Sequence, residues 1–421
     1  MKKNSKFNSF DFSWLIISVG MAVGAGIVLI PITTGIVGFA VFAISILVAY
    51  PGIYLFQKLY ISTLFASKKP KVYKEVVKEL LGNRWSFFLG ILYFLMMLIW
   101  TVIYAEIVAK SLASYLYIFK IIDNPHLEQN TIYSAILMIV LIFIGIKSQK
   151  LLARVSSFLV VTLVIAVICA SIFLIPLWSL DNITSLPSDS SDFIIKTIVM
   201  LPFSLTSILF IQSLSPMVIS YRAHYSETKD DKLVLQKTLK TMKIAFILLV
   251  SLIGFYIFSF SLVIPQKLAV KAAAENQSAF VLLEQQGLSN IILHISGLVI
   301  SICAILTSFL SILSGMTEAL KGLLKNSFTK FDISGGINSR IIDVAVVVII
   351  FLLTWLSIVF NVPIYKLVPF SGPIFGILGC LVPVYMVYKV PSLHIYKTKS
   401  IYFIAFIGVV LVISPLLPST I

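Results

Sequence analysis

The sequence predicts an all-α membrane protein of 11 transmembrane helices. Three observations carry this prediction: composition, apolar segments long enough to cross a bilayer, and the placement of Lys and Arg between them. Of the 421 residues 59% are hydrophobic and only 12% charged, and mean hydropathy is +1.05. Soluble domains carry about 25% charge. Segments of about 20 apolar residues cross a hydrocarbon core of about 30 Å, and such segments recur along the whole chain. The net charge of +15 would indicate a nucleic-acid partner in a soluble protein; its placement here excludes the need for one.

In order, the spans fall near 12–37, 38–65, 86–118, 131–147, 151–175, 193–221, 241–264, 288–316, 340–360, 365–388 and 400–418. The first two are parted only by the turn around Gly35 and Gly38. The fourth and fifth are parted by the basic turn from Lys147 to Arg154. The N-terminus, MKKNSKFNSFDF, is basic and meets no small-residue cleavage pattern, so it reads as leading into an uncleaved first span. With that end cytoplasmic, 25 Lys and Arg fall on the cytoplasmic side: Lys2, Lys3, Lys6, Lys68–Lys78 and Arg84, Lys147–Arg154, Arg222–Lys243, Lys321–Arg340 and Lys389–Lys399. Five fall outside, at Lys120, Lys196, Lys267, Lys271 and Lys366. This is the asymmetry that positive-inside orientation requires, and it places the C-terminus externally. Cys169, Cys303 and Cys380 all lie in apolar segments without metal-ligand spacing and read as buried small hydrophobes.

Two spans carry interruptions. The first reads Gly20-Met21-Ala22-Val23-Gly24-Ala25-Gly26, then Pro31. Each glycine weakens a helix by about 1 kcal/mol relative to alanine, and unwound backbone inside a bilayer is tolerated where it lines a cavity. A new helix N-terminus there would favour a carboxylate, and freed carbonyls a cation. The competing reading is a Gly-xxx-Gly packing face. The sixth span reads Phe210-Ile211-Gln212-Ser213-Leu214-Ser215-Pro216, where Pro216 removes a backbone donor; here the alternative is a plain proline kink. The two interruptions stand five spans apart, as in inverted five-helix repeats with discontinuous helices at corresponding positions. The chain then forms a single transmembrane domain, 1–421: repeat one at about 12–175, repeat two at about 193–388, and an extra helix at about 400–418.

These residues resemble the hydroxy and aromatic amino acid permeases of the amino acid–polyamine–organocation superfamily, nearest the serine/threonine transporter branch. The resemblance runs through GMAVGAGIVLIPITTGIVGF at 20–39, VAYP at 48–51, SLSPMVISY at 213–221, ENQSAFVLL at 275–283, TSFLSILSGMTEALKGLL at 307–324 and FSGPIFGILGCLVPVYMVYKVP at 370–391. It implies the leucine-transporter (LeuT-type) fold, a 5+5 inverted repeat with broken helices one and six plus one extra helix. It also implies symport of an amino acid, L-serine or L-threonine, with Na+ or H+. By similarity the substrate carboxylate meets the backbone at Ala22, Val23, Gly24, Ala25 and Gly26. The ammonium meets Gln212, Ser213, Leu214 and Ser215, and Tyr104 touches substrate. A Na+ site would draw on carbonyls of Gly20, Val23 and Ala304 and the hydroxyls of Thr307 and Ser308, oxygen ligands that suit a hard cation. The alternative for the two hydroxyls is bonding back to their own helix.

The sequence departs from the branch twice. Thr307 stands where several serine transporters have lysine, and Leu214 where relatives tend to have histidine. The first puts proton coupling in doubt; the second weakens serine specificity. An aromatic amino acid permease for tyrosine or tryptophan is the runner-up within the family.

Inside span three Glu106 precedes Lys110 by one turn. Intramembrane charges mark pathways and relays, so Glu106 is a candidate proton relay; the alternative is a self-neutralising i,i+4 pair. His126, His224, His294 and His394 are scattered, and there is no phosphate loop or nucleophile constellation. These absences argue against an enzyme and an organic cofactor, and the lack of an ATP-binding domain argues against a complete ATP-driven pump. A channel or a non-transporting membrane sensor is the reading from a different class.

Overall fold

The computed structural model describes residues 7–418 except 68, 125, 148, 185–188, 229, 286–290 and 331–338. Lys2, Lys3, Lys6, Lys68 and Lys229 of the charge count therefore lie outside the described residues, as do the side chains of Ala25 and Thr307. Among the described residues the chain is helical and has no strand. Eight helices are long and apolar enough to cross a membrane, or nine when the bent first pair is taken as one span. Two further apolar helices, Thr131–Gly145 and Ser400–Leu416, are shorter. The expected 11 spans are matched in order only when these two are added, so length and composition alone stop at nine.

The first span is two helices, α1 (Ser9–Ala22) and α2 (Ala25–Val37), bent by 46°. A capping box starts α1: Asn8 Oδ1 accepts from the Asp11 N–H, and the Asp11 carboxylate accepts from the Asn8 N–H, both at 2.9 Å. These contacts satisfy donors that a helix start leaves free. Gly38, at φ 91°, turns the chain directly into α3 (Phe39–Leu64). The amphipathic α4 (Tyr73–Leu81) buries Tyr73, Val76 and Val77 and leads into the long α5 (Asn83–Ile118). Then come α6 (Thr131–Lys147) and α7 (Gln149–Phe173).

The sixth span is also two helices, α8 (Ser190–Ile208) and α9 (Ile211–His224). After α10 (Asp231–Ser261) the short α11 (Gln266–Ala274) and α12 (Ala279–Gln285) precede the eighth span. That span runs from α13 (Ile291–Ile300) through one π turn at Ser301–Ile305 into α14 (Leu306–Lys330). The rest is α15 (Ser339–Val359), α16 (Ile364–Phe375), a π segment at Gly376–Leu381, α17 (Val382–Lys389) and α18 (Ser400–Ile413).

Packing follows small residues. A Cβ at Gly376 would stand 2.6 Å from the Gly408 carbonyl, and one at Gly408 would stand 2.8 Å from Cys380 Cβ. That close approach seats α18 on the π segment, as small residues do between membrane helices. Outward faces are apolar: Ile132, Ile136, Ile139 and Phe143 of α6 are exposed while Met138, Leu141 and Ile142 of the same helix are buried. Apolar groups turned both in and out are what a lipid surround demands.

Candidate functional site

The first break is a loss of two helical hydrogen bonds. The Gly24 N–H bonds to the Ala22 carbonyl at 2.9 Å, not to Gly20 four residues back. The Ile27 N–H bonds to the Gly24 carbonyl at 3.2 Å, not to Val23. The carbonyls of Gly20 and Val23 thus lose their regular i+4 donors. At the same place α2 begins on Gly24 with no side-chain cap, leaving first-turn N–H groups for a ligand. Pro31 removes the donor that would serve the Ile27 carbonyl. Tyr256 of α10 replaces it, its hydroxyl donating at 3.0 Å.

The second break corrects the expected position. Pro216 does not interrupt the sixth span; Gln212–Ser215 and Pro216 are all helical, inside α9. The interruption lies at Leu209 and Phe210, where Leu209 is extended (φ −81°, ψ 125°) and Phe210 is irregular (φ −129°, ψ 32°). Pro216 falls in the second turn of α9, and the helix continues through it to His224. The signal missed in the sequence is Pro202 followed by Ser204, Thr206 and Ser207. These hydroxyls bond within their own helix or across to α3: Thr206 to the Phe203 carbonyl, Ser207 to the Ser204 carbonyl, and Ser204 with Ser45 at 2.9 Å.

Two glycines bring the breaks together. A Cβ on Gly26 would meet Ser207 Cα at 2.6 Å and the Thr206 carbonyl at 3.2 Å. Backbone therefore lies on backbone where the two interrupted spans meet. A Cβ on Gly24 would strike the Tyr104 hydroxyl and the Ser308 Oγ. Spans one, three and eight converge on this glycine, two residues from the contact of Gly26 with span six. Ala22, Val23, Gly24, Gly26, Tyr104 and Ser308 belong to one cluster, with Ala22, Val23, Tyr104 and Ser308 buried. Ala304 is also buried, in the π turn immediately before α14; such turns concentrate at functional sites.

Two of the expected residues of α9, Ser213 and Ser215, make contacts within the protein. Ser213 bonds to the Phe210 carbonyl at 2.8 Å and meets Ser18 of α1 at 3.3 Å. Ser215 accepts from the Tyr73 N–H at 3.2 Å, tying α9 to α4. Leu214 is fully buried and Gln212 half-buried. The arrangement offers two helix N-termini, at Ala25 and Ile211, and two helix C-termini, at Ala22 and Ile208. Partial positive charge sits at the former and partial negative at the latter, a pattern complementary to a group that carries both charges.

Glu106 and Lys110, one turn apart on α5, each find their hydrogen bonds elsewhere. Glu106 is fully buried; its Oε1 accepts from the Val362 N–H at 3.1 Å and its Oε2 has no hydrogen-bond partner. Lys110 donates to the Glu275 carbonyl at 3.0 Å and to Asn361 Oδ1. Asn361 and Asn276 both have left-handed backbone, φ 48° and 54°, a conformation asparagine tolerates best after glycine. They bond to each other at 3.1 Å. Asn276 also accepts from the Ile364 N–H at 3.2 Å, and Tyr365 donates to the Gln277 carbonyl at 2.8 Å. Together these contacts fasten the α11–α12 turn to the α15–α16 turn and to α5.

Known proteins resemble this chain in fold and in sequence. MhsT, solved in complex with L-phenylalanine, superposes with a TM-score of 0.60 at 17% identity, covering 96% of this chain and 98% of that one. It shows that the LeuT-type fold is shared. The chain is 38% identical to the serine transporter of Escherichia coli O157:H7 and to the probable serine transporter of Escherichia coli K12, over 98% of its own length and 92% of theirs. It is 25% identical to the threonine/serine transporter TdcC of Edwardsiella tarda, over 98% of this chain and 96% of that one. The family model for tryptophan/tyrosine permeases matches residues 6–415. With nearly its full length matched and two spans interrupted, the chain belongs to the tryptophan/tyrosine permease family of multi-pass membrane transport proteins.

Proposed function

We propose that the chain is a secondary active transporter that imports an amino acid, L-serine or L-threonine, by symport with a cation. The observation that carries the reading is the backbone contact at Gly26 and Ser207, which joins the interruptions of spans one and six. An amino acid carboxylate is held by the first-turn N–H groups at Ala25 and Gly26, and its ammonium by the carbonyl ends of α1 and α8. The ammonium contact moves from Gln212–Ser215 to the last turn of α8, because that is where the helix ends. Relatives named as serine transporters support the hydroxylated substrate.

Na+ is the first reading for the cation. Gly20 and Val23 carbonyls, stripped of helical donors, stand on the segment that meets Ser308. With the Ala304 carbonyl and the Ser308 hydroxyl they would make an oxygen set for a hard cation, to which the sequence adds Thr307 as a candidate. A proton is the second reading, favoured by the buried Glu106 oxygen that lacks a partner. The chain is read with 11 spans as a 5+5 inverted repeat plus α18, N-terminus cytoplasmic and C-terminus external, in the bacterial inner membrane.

The test is uptake into proteoliposomes against a panel of amino acids, with Na+ and H+ gradients imposed separately. Serine or threonine accumulation driven by one gradient is expected. Accumulation of tyrosine or tryptophan alone would transfer the reading to an aromatic permease. Saturable binding without uptake under either gradient would point to a sensor, and non-saturating flux to a channel.

A further inference from the structure

Trp100 lies in the middle of span three, one helical turn from Tyr104. Its indole packs against the Tyr104 ring, centroids 5.8 Å apart and tilted by 40°. The next turn carries Met97, whose sulfur would stand 2.7 Å from a Cβ on Gly315 of α14. Tyr104 in turn reaches Gly24 beside Ser308 of the same helix. Trp100 therefore occupies the turn of span three adjoining the breaks, on the stretch of α5 that runs along α14. It is 6% exposed, and its Nε1–H is buried without a hydrogen-bond partner.

A buried indole N–H is a donor only, and a bilayer supplies no water to satisfy it. Buried polar groups are almost always paired, and each exception calls for a cause. The cause here is an acceptor that arrives with the substrate. Once carboxylate and ammonium are fixed at the breaks, the short side chain of the amino acid extends toward neighbouring walls. Trp100 is the wall one turn from Tyr104. Its N–H asks for an oxygen.

We infer that Trp100 determines side-chain specificity by donating its indole N–H to the hydroxyl oxygen of L-serine or L-threonine. The inference rests on the reading of the Gly24–Gly26 cluster as an amino acid site and deepens it from amino acid to hydroxyl amino acid.

The experiment measures competition against labelled L-serine in purified, reconstituted protein. L-2-aminobutyrate matches serine in size but carries a methyl in place of the hydroxyl. In the wild type it should compete at least about tenfold more weakly than serine, the loss expected when a buried donor is left unpaired. Trp100→Phe keeps an aromatic wall without the donor. It should weaken serine by about tenfold or more while shifting 2-aminobutyrate less than twofold. Trp100→His restores an N–H and should recover part of the preference. Equal competition by the two ligands in the wild type overturns the inference without any variant. So does a serine-to-aminobutyrate ratio that Trp100→Phe leaves unchanged in folded protein. A wild type that neither binds nor accumulates serine or threonine overturns the underlying amino acid reading instead.

Discussion

Gly24 and Gly26 are required for different reasons. At Gly26 the obstacle is main chain, because a Cβ would sit 2.6 Å from Ser207 Cα; neither interrupted span has a flexible end that could give way. At Gly24 the obstacles are the Tyr104 hydroxyl and Ser308 Oγ, side-chain tips that can rotate aside. Gly26→Ala should therefore reduce serine uptake by about a hundredfold or more, since a 1 Å misplacement of a binding group costs on that order. Gly24→Ala should chiefly weaken Na+ dependence by displacing Ser308. Uptake normalised to membrane-inserted protein checks both; wild-type uptake in Gly26→Ala would contradict the backbone contact. Glu106→Gln separates the two cation readings. The amide retains an acceptor for the Val362 N–H but cannot take up or release a proton. A Na+-coupled protein keeps gradient-driven uptake in this variant, whereas a proton-coupled one loses it. Imposed-gradient assays on the same vesicles decide.

A broken helix needs outside groups to satisfy what the break exposes, and these are largely invisible in one sequence. Gly20–Gly26 announced the first interruption because glycine acts locally, through its own backbone freedom. The second was misplaced by about two turns because proline is locally ambiguous. Pro216 removes one donor, yet a helix tolerates that loss in a membrane when neighbours supply partners. The interruption came at Leu209 and Phe210, apolar residues that do not themselves mark a break, just after the hydroxyl-rich turn Ser204–Ser207 that packs on Gly26. Pro31 shows the same dependence in reverse. Its missing N–H is replaced by Tyr256 from α10, 229 residues away in sequence, which no local pattern reveals. Tyr256→Phe should destabilise the protein by about 1–3 kcal/mol by stranding the Ile27 carbonyl. Pro31→Ala restores a backbone donor to that carbonyl. It should rescue much of the loss in the double variant while having a smaller effect alone. Thermal unfolding in detergent across the four-member cycle tests this coupling; strict additivity would show that the hydroxyl contributes nothing to the break.

On the scale of the whole molecule, the cluster lies between two closures built from different chemistry. At the N-terminal end of α1, Tyr221 of α9 donates to Asp11 at 2.6 Å and meets Thr241 of α10 at 2.7 Å. Lys237 adds an ion pair to Asp11 at 3.8 Å, and Phe10 stacks on His224, ring centroids 4.1 Å apart. At the other end Asn276, Asn361 and Lys110 tie two turns to α5, beside a small cleft lined by Ser111, Ser114 and Gln277. Alternating access requires that one closure loosen while the other holds. Weakening each should therefore shift the population in opposite directions. Asn361→Gly keeps a backbone suited to φ 48° but removes the amide, so the cleft should open outward. Tyr221→Phe removes the Asp11 contact, so the opposite end should open. A single cysteine at Ser114, in a background lacking Cys169, Cys303 and Cys380, reports both through its labelling by a membrane-impermeant maleimide. Losing one hydrogen bond of about 1 kcal/mol should change the open population by about fivefold. Labelling should rise in Asn361→Gly and fall in Tyr221→Phe. Unchanged labelling in Tyr221→Phe would mean that the two ends move independently, and the cluster between them would then lack the alternation on which the proposed symport depends.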